Sequence, residues 1–170
     1  MLDLKSKGSK ILFPGKFTEG KEGILINGLV WMGDKDFMEN QIARKIDSGF
    51  RCIKLKIGAV DFDTELEILS NIRKKFQFSD LEIRLDANGA FTAVEALEKL
   101  KRLSQFDIHS VEQPIMAGQW LDMAALCALS PVPVALDEEL IGINGDEKQN
   151  QLLSVIQPII LSLNQVCWED

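Results

Sequence analysis

The sequence predicts an α/β fold: a partial (β/α)8 TIM-type barrel of about six βα units with mostly parallel strands. Three observations predict it. Short apolar runs alternate with amphipathic helical segments along the 170 residues. Alternation of this kind implies parallel pairing through right-handed crossovers. Charged residues recur near the C-terminal ends of the runs at about one βα unit's spacing, where a barrel builds its site. No G-x-G-x-x-G follows the first run, so the usual fingerprint of an open dinucleotide-binding sheet is missing.

The elements follow in order. Strands are expected within residues 24–32, 52–57, 81–86, 108–112, 132–137 and, less distinctly, 155–163. The first helix, residues 35–48, carries Met38, Ile42 and Ile46 at helical spacing, with Asp34 as its cap and Gly49 past its end. The second, residues 64–76, places Leu66, Leu69, Ile72 and Phe76 on one stripe. Thr92 and Glu95 form a capping box ahead of Val94, Leu97 and Leu100. Gly118 precedes a helix carrying Leu121, Ala125, Leu126 and Leu129, and Asp146 is placed to cap a last short helix. Residues 1–22 do not fit the repeat and read as a lead-in, a remnant of a capping domain or a linker. Residues 23–170 read as an incomplete barrel domain.

Composition narrows the function. Lysine and arginine number 19 against 26 acidic residues, a net charge of −7, and no basic run or stripe occurs. Nucleic acid and anionic membrane are therefore not expected partners. No apolar stretch approaches the ~18 residues of a membrane span. The N-terminus lacks a secretory pattern, and Cys52, Cys127 and Cys167 form neither a disulfide framework nor a CxxC site. A cytoplasmic protein is expected. His109 is the single histidine, which excludes chemistry built on histidine pairs.

Parallel strands covered on both faces normally read as continuous apolar runs. Here each has one apolar and one polar parity. Ile53, Leu55 and Ile57 alternate with Lys54 and Lys56; Leu81, Ile83 and Leu85 alternate with Glu82, Arg84 and Asp86. Val111 alternates with Ser110 and Glu112, and Val134 and Leu136 with Ala135 and Asp137. Residues two apart share a face. One face therefore packs on helices while the other gathers lysines and carboxylates. Burying charge costs several kcal/mol per ion unless it is paired or metal-bound, so a site explains this interior better than packing does.

Lys56, Asp86, Glu112 and Asp137 lie 30, 26 and 25 residues apart. Three carboxylates converging from successive strands repel one another unless a hard cation joins them, and Mg²⁺ takes such oxygen ligands. Two neighbouring ammonium groups and a cation would depress a lysine pKa and make a general base. Metal and base together suit removal of a proton beside a carboxylate, the cation stabilising the enediolate charge. The substrate expected is a small-molecule carboxylate.

Plainer readings exist for each residue. Lys54 and Lys56 suit a solvated edge strand. Asp86 suits a turn before Asn88-Gly89. Glu112 suits a strand-end carboxylate paired to a lysine, and Asp137 an acidic loop start. An EF-hand reading at Asp86 fails for want of glycine at the sixth loop position. His109 reads as structural, Arg84 as a lumen salt bridge with Glu82, Trp31 and Trp120 as packing residues, and the cysteines as inert. Asn88 is a turn residue, a support for the metal site or a substrate-binding residue.

Four segments, Lys54-Leu55-Lys56, Leu85-Asp86-Ala87-Asn88-Gly89-Ala90-Phe91, Val111-Glu112-Gln113-Pro114 and Leu136-Asp137-Glu138-Glu139, resemble the muconate-lactonizing subgroup of the enolase superfamily. Ile26-Asn27-Gly28-Leu29-Val30-Trp31-Met32-Gly33 and Ala117-Gly118-Gln119-Trp120 narrow the likeness to its o-succinylbenzoate synthase branch, over roughly residues 2–161. The resemblance implies that Asp86, Glu112 and Asp137 ligate Mg²⁺, with Mn²⁺ as a substitute. It implies that Lys56 is the acid/base and that Lys54 tunes it. The implied reaction is dehydration of SHCHC, a succinyl-hydroxy-cyclohexadiene carboxylate, to o-succinylbenzoate in menaquinone synthesis. Dipeptide or N-acylamino acid epimerases and racemases share this framework, and an inactive metal-binding fragment is the further alternative.

Two departures bear on these implications. The family carries a second lysine at the end of the sixth strand, whereas here no lysine follows Lys148, and Gln157 or Ser162 stands at the position. Residues 164–170 do not resemble the family and read as a shifted frame or a misplaced end. The chain is also shorter than the roughly 250 residues of a full barrel. A fragment is expected, its site residues in place and its activity reduced or absent.

Overall fold

The computed structural model describes residues 7–8, 14–143, 145–158 and 160–161. Most of the lead-in up to residue 13, the tail, Cys167 and Ser162 lie outside the described residues.

Six parallel strands form one sheet in the spatial order of the sequence. They are β1 (Gly28–Val30), β2 (Cys52–Lys56), β3 (Glu82–Asp86), β4 (Ser110–Glu112), β5 (Val134–Leu136) and β6 (Ile160–Leu161). Five helices alternate with them: α1 (Lys35–Asp47), α2 (Phe62–Arg73), α3 (Ala93–Leu103), α4 (Trp120–Leu129) and α5 (Asp146–Ile156). Doubly wound sheets reverse their strand order at a switch point. This sheet never reverses, so it is an arc of a barrel, as the sequence predicts.

The alternating parity of the strands becomes two faces. Val30, Ile53, Leu55, Ile83, Leu85, Val111, Val134 and Leu136 are buried together with helix residues Met38, Ile42, Ile68, Leu69, Ile72, Leu100, Met123, Leu126, Leu152 and Ile156. That layer is the core. The opposite face of the sheet carries the charged residues, in rows fixed by register. Lys56 pairs with Asp86, and Asp86 with Glu112. One row lower, Lys54 pairs with Arg84, and Arg84 with Ser110.

Helix boundaries follow their caps. The Asp34 side chain accepts from the Phe37 N–H, and Gly49 follows the Ser48 C-cap at φ +88°. The Thr92–Glu95 capping box is formed on both sides. Three expectations are corrected. Asp146 is the first helical residue behind Gly145 and makes no cap. Val94 is 95% exposed, because the inward stripe of α3 is Ala96, Leu100 and Leu103 and a residue two before Ala96 points away from it. In α4 the buried residues are Met123 and Leu126, whereas Leu121, Ala125 and Leu129 face outward. That helix is apolar nearly all round, so periodicity alone does not select its inner face.

Candidate active site and metal centre

The site forms where β2, β3 and β4 end. Asp86 is fully buried. Its Oδ2 lies 2.9 Å from Lys54 Nζ and 2.8 Å from Lys56 Nζ. Lys54 also donates to Glu112 Oε1 at 2.7 Å. One carboxylate therefore holds two ammonium groups, and one ammonium bridges two carboxylates from adjacent strands. The lysine side chains are 12% and 15% exposed, so the cluster is nearly dry and its electrostatics are strong.

The charges tune one another. Burial works against a charged Lys54, but the Glu112 and Asp86 carboxylates outweigh it and raise its pKa above the ordinary lysine value. The nearest partners of Lys54 are anions, and anions favour the charged amine. Burial likewise pushes the Asp86 carboxyl up, yet Lys56 and Lys54 pull it below its usual value.

Asn88 joins the cluster. It stands at φ +45°, its N–H donates to Asp86 Oδ1, and its Oδ1 accepts from Lys56 Nζ at 2.8 Å. Its Nδ2 donates to Glu138 Oε1 at 2.7 Å, which ties β3 to the segment beyond β5. The neighbouring Gly89 is at φ +74°, and a Cβ there would stand 3.0 Å from Met116 Cα. Only glycine lets the β3 and β4 loops close on each other this tightly. Trp31 is 54% exposed rather than packed in the core, and Lys56 Nζ lies 5.7 Å from its ring centre.

Of the six residues proposed from sequence, Lys54, Lys56, Asp86, Glu112 and Asn88 are brought together. Asp137 follows β5 on the parity of Ala135, which pairs with Glu112. Its N–H is held by Gln113 Oε1 at 3.2 Å. Among the described residues no three histidine, cysteine or acidic side chains stand grouped as metal ligands; the lysines neutralise the Asp86–Glu112 pair instead. The donor set still suits a hard cation. Two buried carboxylates in register already converge on one cationic atom, and Glu138 Oε2 is a buried oxygen with no hydrogen-bond partner.

Glu138, Gln113 and Glu139 were not singled out from the sequence. Three consecutive acids after a strand were the available signal for the first and last. Arg84 pairs with Glu82 at 2.7 Å, as expected. His109 lies beside Ser110 Oγ, and Trp120 packs against the core. Burial pushes the thiols of Cys52 and Cys127 up to about 11, which disfavours the reactive thiolate. No helix among the described residues is long and apolar enough to cross a membrane.

Residues 38–158 match the model of the enolase C-terminal domain-like family. The chain belongs to that family. It is 53% identical over 158 residues to the o-succinylbenzoate synthase of Desulfotalea psychrophila, a match covering 93% of this chain and 43% of that protein. The crystal structure of MenC from the same organism superposes with a TM-score of 0.79 at 51% identity, over 95% of this chain and 44% of that one. The o-succinylbenzoate synthase of Thermosynechococcus elongatus BP-1, solved with Mg in its active site, shares the fold at 23% identity and a TM-score of 0.67, over 78% of this chain and 41% of that one. The chain thus spans less than half the length of these relatives. Their enolase-superfamily barrels confirm the partial-barrel reading of its fold.

Proposed function

We propose that this chain carries the metal-binding and proton-abstracting half of an o-succinylbenzoate synthase, a dehydratase acting on SHCHC in menaquinone synthesis. The observation that supports this most is the pair of ammonium groups on one buried carboxylate, itself in register with a second. The 53% identity over nearly the whole chain supports the choice of reaction.

In this reading Asp86, Glu112 and Asp137 hold Mg²⁺, with Mn²⁺ as a substitute. When bound, the cation would stabilise the negative charge that develops on the substrate carboxylate as its α-proton leaves. Lys56 is the base. Its Nζ sits between Asp86 and Asn88. Lys54, kept protonated by Glu112 and Asp86, supplies fixed positive charge beneath it. Asn88 aims Lys56 by accepting one of its protons. The indole centre of Trp31 lies 5.7 Å from the same ammonium, within reach of a cation–π contact. Lys56 would take the α-proton and return a proton as water departs. Gln157 or Ser162 stands where the family carries its second lysine, so weak turnover is part of the proposal.

Calorimetry with Mg²⁺ and o-succinylbenzoate tests it. The chain should take up both, and Asp137→Asn should lose most of the metal-dependent heat. Identical heats from the two proteins would overturn the reading.

A further inference from the structure

Gln113 occupies a place that its position beside the site does not explain. It follows Glu112 directly, is fully buried, and adopts φ +40° without being glycine. That conformation costs of order 1 kcal/mol and persists only where the surroundings impose it. The surroundings here are three loops. The Gln113 N–H donates to Ala135 O at 2.8 Å, and its carbonyl accepts from Gly89 N–H at 2.7 Å. Its side-chain Oε1 accepts the N–H groups of Asp137 and Glu139, both at 3.2 Å. Its Nε2 donates to Ile115 O at 3.0 Å and to Glu139 Oε2 at 3.3 Å. Glu139, also buried, accepts the Gly118 N–H at 2.8 Å through its other oxygen. Flipping the amide would turn all four side-chain contacts repulsive, so its orientation is set by chemistry.

We infer that Gln113, locked by Glu139, is the positioning residue for Asp137: it clamps the backbone that carries this carboxylate and so sets where it stands for a divalent cation. The inference rests on the metal reading above. Gln113 acts through the segment 137–139, whose Asp137 and Glu139 N–H groups it accepts. Partners one step removed from a metal ligand typically change affinity 10- to 100-fold when altered.

The test is Mn²⁺ binding to the full chain, read from the resonance of free Mn²⁺, in Q113E, E139Q and the double variant Q113E/E139Q. Each single change puts like against like, two acceptors or two donors. The double exchanges donor and acceptor and restores the side-chain bond between the two positions. The singles should bind Mn²⁺ about tenfold more weakly, Q113E doing so despite its added negative charge, and the double, which regains the 113–139 bond but still sets a carboxylate against Ile115 O, should recover part of the loss. A purely structural residue would not show recovery by exchange. Circular dichroism checks each fold, and E139Q, which leaves both backbone amides on Gln113, carries the comparison if Q113E does not fold. Singles that bind like the parent, or a double no better than the singles, overturn the inference alone. A parent chain that binds no Mn²⁺ overturns the metal reading and this inference with it.

Discussion

Asp86 is where the site's function and the molecule's stability meet. Its carboxylate neutralises Lys56 and shares the neutralisation of Lys54 with Glu112. Removing one partner of a buried pair costs about 3–5 kcal/mol, and the slight water contact of the lysines places Asp86→Asn near the lower end. Urea denaturation at neutral pH should show that loss. Its pH dependence has a definite sign. Because the folded pKa of Asp86 lies below its ordinary value, its contribution is complete above that ordinary value. It disappears as pH falls through the lower, folded value. The stability gap between the parent and Asp86→Asn should therefore be constant near neutrality and close below about pH 4. A gap that persists unchanged into strong acid would mean that the ion pairs contribute little. Which residues cluster was legible in the sequence, since Lys54 and Lys56 share a face of one strand and Asp86 and Glu112 follow at about one βα unit each. Which partner dominates was not. Parity sets a face but not distances, so it could not show that carboxylates lie nearer to Lys54 than any other cation does.

Among the elements, the loops after β3 and β4 carry the site, and one glycine lets them meet. Phe91 N–H bonds Pro114 O and Gly89 N–H bonds Gln113 O, a short zipper between the loops. Gly89→Ala would place a methyl against the Met116 backbone at a positive φ. Strain and contact together should cost about 1–2 kcal/mol, visible as a lower urea midpoint with an unchanged slope. No change in midpoint would show that the loops open without penalty. The strands and most helices could be read beforehand because their signals are local: period two, period 3.6, a capping box. The loop network could not. Gln113 precedes a proline, and its role depends on Glu139 across two strands, a contact between residues 26 apart in sequence. The inner face of α4 was hidden for a different reason, since a helix apolar on all sides offers no moment to read.

Over the whole molecule, the sheet is an arc, and among the described residues its first strand has a neighbour on one side only. β1 bonds to β2, and among the described residues no strand covers its other edge. Beside that edge Ile24, Leu25, Ile26, Leu29 and Trp31 are exposed, Leu25 to 98%. An unpaired strand edge flanked by apolar side chains is a template for association. The net charge of −7 opposes it only at long range and is screened beyond about 8 Å at physiological salt. The chain should therefore bind an anilinonaphthalene dye in its folded state and grow in light-scattering mass with concentration. Leu25→Lys should reduce both. Leu25 makes almost no buried contact to lose, so that change should leave the urea midpoint within about 0.5 kcal/mol of the parent. The separation matters. A drop in association without a drop in stability locates the effect at the edge, whereas a monomer free of dye at every concentration would show that the exposed strand is protected by something other than a neighbouring strand.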